Sequence, residues 1–83
     1  MPDKLTVDLH PFFRNERDID RAVRQLVFRA AQSKVPVAEI IVGKGKGQLR
    51  HRVLRMLDAK HMRNLYRSVE VDPKNSGRIL VHF

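Results

Sequence analysis

The chain has no cysteine and no tryptophan, and only one tyrosine and four phenylalanines among its 83 residues. Without cysteine there can be no disulfide, no zinc ribbon and no thiol nucleophile, so packing alone must hold the fold, and a reducing, intracellular setting suits it best. Long apolar runs are missing too. Nothing approaches the roughly 20 consecutive apolar residues of a membrane span, and the opening MPDKLTVDLHP has no apolar stretch of signal-peptide length. A cytoplasmic protein with no membrane partner is the expectation. Glycine and proline number four each and the hydrophobic fraction is 42%, which excludes a low-complexity or disordered tail. A chain this short buries only about 60 to 65% of the surface that its unfolded form exposes, too little for two cores. The expectation is therefore one domain over residues 1–83, a single sheet covered by two helices.

Acidic side chains are the other shortage: 9 Asp and Glu stand against 17 Lys and Arg, a net charge of +8. The imbalance is local. Residues 1–43 hold 7 basic and 6 acidic side chains, residues 44–83 hold 10 and 3. An anionic partner, nucleic acid first, is what such a surface attracts.

Leu5, Val7 and Leu9 alternate with Thr6, Asp8 and His10, the period-two pattern of a strand with one covered face, and Pro11 ends it. Asp8 and His10 then point the same way. Asn15 with Asp18 resembles a capping pair, and Ile19, Ala22, Val23, Leu26, Val27 and Ala30 form a helical stripe, predicting a helix over Glu16 to Gln32. The run Val37 to Val42 reads as a strand buried within the sheet, and Gly43-Lys44-Gly45-Lys46-Gly47 leads into a second helix starting near Gln48. Asp58 to Asn64 reads as a polar connection. Strands around Leu65 to Val71 and Arg78 to Phe83, joined by the turn formers Asp72 to Gly77, complete the order β-α-β-α-β-β.

A helix between the first two strands makes them parallel if they are neighbours, so their C-terminal ends share an edge, where open α/β sheets bind ligands. One end carries Asp8 and His10, the other opens into the glycine run. Glycines there permit positive φ and close approach, and the helix start offers N–H groups and a positive dipole end to an anion. Lys44, Lys46, Arg50 and Arg52 add charge, and Arg78 joins them if the helices leave one sheet face uncovered. Neither GxxxxGK[ST] nor GxGxxG fits Gly43, Gly45 and Gly47, so ATP or a dinucleotide is not indicated. A histidine beside a carboxylate suits proton transfer at a phosphodiester. Asp8 and His10 alone are an incomplete metal site. No metal or cofactor is assigned, Mg2+ shared with a phosphate being the one candidate. Tyr66, Phe12 and Phe13 are the aromatics available to stack an unpaired base, although packing over the sheet edge is the plainer role for the two phenylalanines.

Leu5-Thr6-Val7-Asp8-Leu9-His10 followed by Ile40-Ile41-Val42-Gly43-Lys44-Gly45-Lys46-Gly47 resembles the Smr (small MutS-related) domain, marked by an LDLH segment and an HGKGxG segment at comparable separation. The ending Gly77 to Phe83 is similar to that of short, free-standing members. The resemblance implies a two-layer βαβαββ sandwich with a mixed four-stranded sheet, like the C-terminal domain of bacterial translation initiation factor three. It also implies nucleic-acid work, with several members nicking DNA or cutting RNA, in DNA repair and recombination or RNA quality control. Asp8 and His10 would be catalytic, and Gly43, Lys44, Gly45, Lys46 and Gly47, with Arg50, Arg52 and Arg78, would hold phosphates. Val42 stands where the family usually has the histidine of HGKG, and Pro11 where many members have glycine. The expected function is thus a monomeric nicking endonuclease acting on structured or branched DNA or RNA. The alternative is a non-catalytic module that recognises nucleic-acid shape.

Overall fold

A computed structural model of the chain describes residues 3–9, 15–43 and 47–83. His10, Phe12, Phe13, Lys44, Gly45 and Lys46 lie outside the described residues. Among the described residues the elements run β1 (Lys4–Asp8), α1 (Glu16–Ser33), β2 (Val37–Ile41), α2 (Gln48–Leu57), α3 (Lys60–Arg63), β3 (Ser68–Val71) and β4 (Arg78–His82). The strands form one mixed sheet in the order β1-β2-β4-β3, with β1 and β2 parallel and the other pairs antiparallel. The α/β architecture expected from the periodicity is the one observed.

Alternation along each strand divides the sheet into two unlike faces. Leu5, Val7 and Leu9 of the first strand segment lie on the side of Ala38, Ile40, Ile79, Val81 and Val69, and the helices supply Ile19, Val23, Leu26, Val27, Ala30, Val53 and Leu57 to the same core. The opposite face carries Lys4, Thr6 and Asp8, then Val37, Glu39 and Ile41, then Arg78, Leu80 and His82, then Ser68 and Glu70. Pairing of the first two strands continues one residue past β1, with the Leu9 amide donating to the Ile41 carbonyl at 3.0 Å.

Helix α1 begins where its sequence says it should. The Asn15 side-chain oxygen accepts from the amides of Arg17 (3.1 Å) and Asp18 (3.3 Å), and Glu16 and Asp18 place negative charge against the positive end of the dipole. Asn15→Ala is therefore expected to destabilise the domain by about 1 kcal/mol, seen as a lower urea midpoint, and Asn15→Asp to restore it.

Two boundaries differ from expectation. Asp58 to Asn64 contains the one-turn helix α3, because Met62, 2% exposed, is drawn into the core and the chain must turn to seat it. Strand β3 starts at Ser68 rather than Leu65. The Leu65 amide still closes a turn onto the Met62 carbonyl, and Tyr66 is half-buried, its hydroxyl donating to the Leu57 carbonyl at the end of α2. Burial raises the Tyr66 phenol above the ordinary tyrosine pKa, with nearby Asp58 adding to the rise and Arg63 opposing it. No helix among the described residues is long and apolar enough to cross a membrane.

Candidate phosphate-binding edge

The parallel pairing of β1 with β2 sets Asp8 opposite Ile41, and the antiparallel pairing of β2 with β4 sets Arg78 on the other side of Ile41. Asp8, Ile41 and Arg78 thus form one row across the open face. Two interstrand spacings put the Asp8 and Arg78 backbones about 10 Å apart. Directly beyond Ile41 the chain becomes Val42, Gly43 and the glycine run, so two motifs more than thirty residues apart in sequence meet at one sheet edge. His10, which completes the first motif, lies outside the described residues.

Arg78 is held from below by Glu39, one strand position away on the same face. The Glu39 side chain is only 9% exposed; its Oε2 lies 3.5 Å from Arg78 Nη1 and 3.7 Å from Lys4 Nζ, and Thr6 Oγ1 donates to its Oε1 at 3.5 Å. A buried carboxylate with cations on both sides avoids the cost of burying lone charge, and here it ties β1, β2 and β4 together. Arg78 itself remains 43% exposed. Farther along the face, His82 Nε2 is 2.9 Å from Glu70 Oε1, so His82 belongs to a cross-strand pair distant from Asp8.

The entry to the glycine run, Val42 and Gly43, is braced by the β3-β4 turn. The amides of Val42 (2.8 Å) and Gly43 (3.1 Å) both donate to the Gly77 carbonyl. With its N–H engaged, Gly43 contributes its left-handed backbone, φ 80°, rather than a donor aimed at an anion. The turn is stiffened from within. Asp72 Oδ1 accepts from the Lys74 amide and Asn75 Oδ1 from the Gly77 amide, each at 2.9 Å, two residues on as Asx turns require.

Gly47 caps α2 with φ 82° and offers no side chain to the first turn, leaving the helix start without a side-chain cap. A methyl group there would lie 2.9 Å from Arg50 Nη2, because the Arg50 guanidinium folds over Gly47 and donates from Nη1 to the Ser76 carbonyl at 3.3 Å. Arg50 therefore bridges the helix start and the turn, at the same edge as Arg78. Arg52 is placed differently. Its Nη1 is 3.2 Å from Glu16 Oε1 and its Nη2 3.2 Å from Asp20 Oδ1, so it ties α2 to α1. No three His, Asp or Glu side chains converge as a metal site among the described residues.

Five contributors were not legible in the sequence. Glu39 sat inside an apolar run, although its alternation with Val37 and Ile41 marks it as an open-face residue. The Gly77 and Ser76 carbonyls act through the backbone and leave no residue-type signal. The Arg52 partners Glu16 and Asp20 lie over thirty residues away and are indistinguishable in sequence from solvating acids. Lys44, Gly45 and Lys46 lie outside the described residues, so their contribution rests on the sequence.

No curated protein and no solved structure matches the chain. An acidic residue at the end of the first strand, on the edge where Gly43 is braced and Arg50 and Arg78 lie, suits a domain that handles phosphodiesters, and the Smr domain model matches residues 7–83. Membership follows from a match over nearly the whole length: the chain belongs to the Smr domain family, which is nuclease-like and binds nucleic acid.

Proposed function

We propose that the chain is a small Smr-type endonuclease acting on structured DNA or RNA. The observation that carries this reading is the row Asp8, Ile41, Arg78 at the edge where the glycine run opens into α2. His10 would take the proton of the attacking oxygen, a ribose 2'-hydroxyl in RNA or a water on DNA. The new P–O bond forms as the bond to the leaving oxygen breaks, and His10 returns the proton to that oxygen. Asp8 would orient the imidazole and stabilise its charged form. Lys44 and the amides of Gly45 and Gly47 would meet the charge that develops on the phosphorane, and Arg50 and Arg78 would hold flanking phosphates. Lys46 would add to the local field. Arg52 can join them only by exchanging the carboxylates of Glu16 and Asp20 for a phosphate. Asp8 and His10 supply two metal ligands at most, too few to hold a metal ion without oxygens of the bound phosphate.

A second reading, a non-catalytic module that recognises nucleic-acid shape, draws on Val42. In place of the family's histidine this chain has an aliphatic side chain, 6% exposed and part of the core, which removes one proton-transfer group from the edge.

The purified domain, incubated with labelled single-stranded RNA, hairpin RNA, duplex DNA and branched DNA with and without chelator, should cut at least one of them. It should also bind with an affinity that falls steeply as salt rises, as counterion release requires. Binding without cleavage would favour the second reading. An affinity unchanged between low and moderate salt would overturn both.

A further inference from the structure

The outward side of α2 opens into a groove that the motif residues do not account for. Its upper part, about 920 Å³, begins at Gly47 and Arg50 and is walled by His51, Leu54 and Arg55. The lower part, about 400 Å³, shares those last three residues and continues between α2 and the edge strand to Tyr66 and Val69. The floor is apolar and half-buried: Leu54, Val69 and the ring of Tyr66, which the Leu57 carbonyl holds in place through the hydroxyl. The rim is cationic or polar, with His51 and Arg55 exposed. Asp58, the one acid lining the lower part among the described residues, is 3.8 Å from Arg63. Residues 47–67 contain six Lys or Arg and this single acid.

We infer that this groove binds an unpaired nucleic-acid strand leading away from the phosphate edge, with phosphates along His51 and Arg55 and a base against Tyr66 and Leu54. The inference rests on the nucleic-acid reading above and narrows the substrate to one with an unpaired segment beside the bound phosphate. Three features select this occupant. The groove starts at the helix end where a phosphate is expected, so one chain of phosphates can run through both. Its floor suits the face of a base, which stacked duplex pairs do not present. A second copy of the chain would bring its own charge of +8 to a basic wall, and repulsion opposes that association.

The test compares a labelled hairpin bearing a single-stranded tail with the same hairpin blunt-ended, by fluorescence anisotropy in chelator. The tail should tighten binding about ten-fold, within the range that base–aromatic stacking supports. Tyr66→Leu should remove most of that gain and Tyr66→Phe should keep it, while blunt-end affinity stays unchanged. Arg55→Ala should lower the salt slope by about one on the tailed hairpin. Arg55 is exposed, so this variant decides the matter even if Tyr66→Leu fails to fold. Equal affinity for tailed and blunt hairpins, or equal losses on both, would overturn the groove while leaving the nucleic-acid reading intact. No binding to either would remove both. Displacement of the tailed hairpin by an oligoglutamate peptide as effective as a free oligonucleotide would reassign the groove to acidic peptides.

Discussion

Asp8→Asn is expected to slow phosphodiester cleavage by about 10² to 10⁴-fold without weakening nucleic-acid affinity, the span that a positioned acid or base contributes. The substitution keeps the side chain's size and removes its charge, so an imidazole it orients would lose both alignment and electrostatic support. Asp8 is exposed at the last position of β1, on the face away from the core, and the thermal unfolding of the variant is compared with that of the parent to separate catalysis from folding. His10→Ala should have an effect of the same order. The double variant should be little worse than either single one, because residues that act as a unit are not additive. A double variant that cuts as fast as the parent would remove both residues from the catalytic role.

Ile40→Ala should have the largest effect on stability. Ile40 is fully buried on β2, flanked in one row by Val7 of β1 and Ile79 of β4, and covered by the helices. Truncation there loses the transfer energy of the removed carbons and leaves a cavity between elements that cannot easily collapse, together about 2 to 5 kcal/mol. Small domains have roughly 5 to 15 kcal/mol in total, so the loss takes a large share of what this one has. Thermal unfolding should shift down by at least about 8 °C, taking 4 to 8 °C per kcal/mol for a domain of this size. Ile40→Val, which leaves a much smaller gap, should cost only about 0.5 to 1.5 kcal/mol. A shift in the alanine variant no greater than in the valine one would mean that Ile40 is not the keystone of the sheet.

The elements with a clean period were legible without coordinates. The stripe from Ile19 to Ala30 and the Asn15 cap located α1 because helical spacing and capping chemistry are local properties. The order of strands and the crossover helix brought Asp8 to the glycine run through a general rule of parallel sheets. What escaped was non-local. Met62 bends the chain into α3 only because a core exists to receive it, and Tyr66 leaves the strand because Leu57 offers a carbonyl. Arg52 reads as one more cation until Glu16 and Asp20 are folded against it. Gly43 shows the same division within a single residue: its type announced an unusual backbone, and its φ of 80° agrees, but the Gly77 carbonyl that takes up its amide comes from a turn thirty-four residues on.

By itself, the amino-acid sequence of this protein carried the two motifs of the Smr family, and it determined the α/β class, the face that β1 buries and the basic second half. Those follow from periodicity, charge and short-range backbone preference, which need only neighbours in the chain. Tertiary structure alone decided which charges remain available at the candidate phosphate edge and which are committed to other contacts. Glu39 reaches Arg78 and Lys4 across three strands, Arg50 reaches Ser76, and Arg52 turns to α1, because electrostatic partners are chosen by distance in space, which a sequence does not contain.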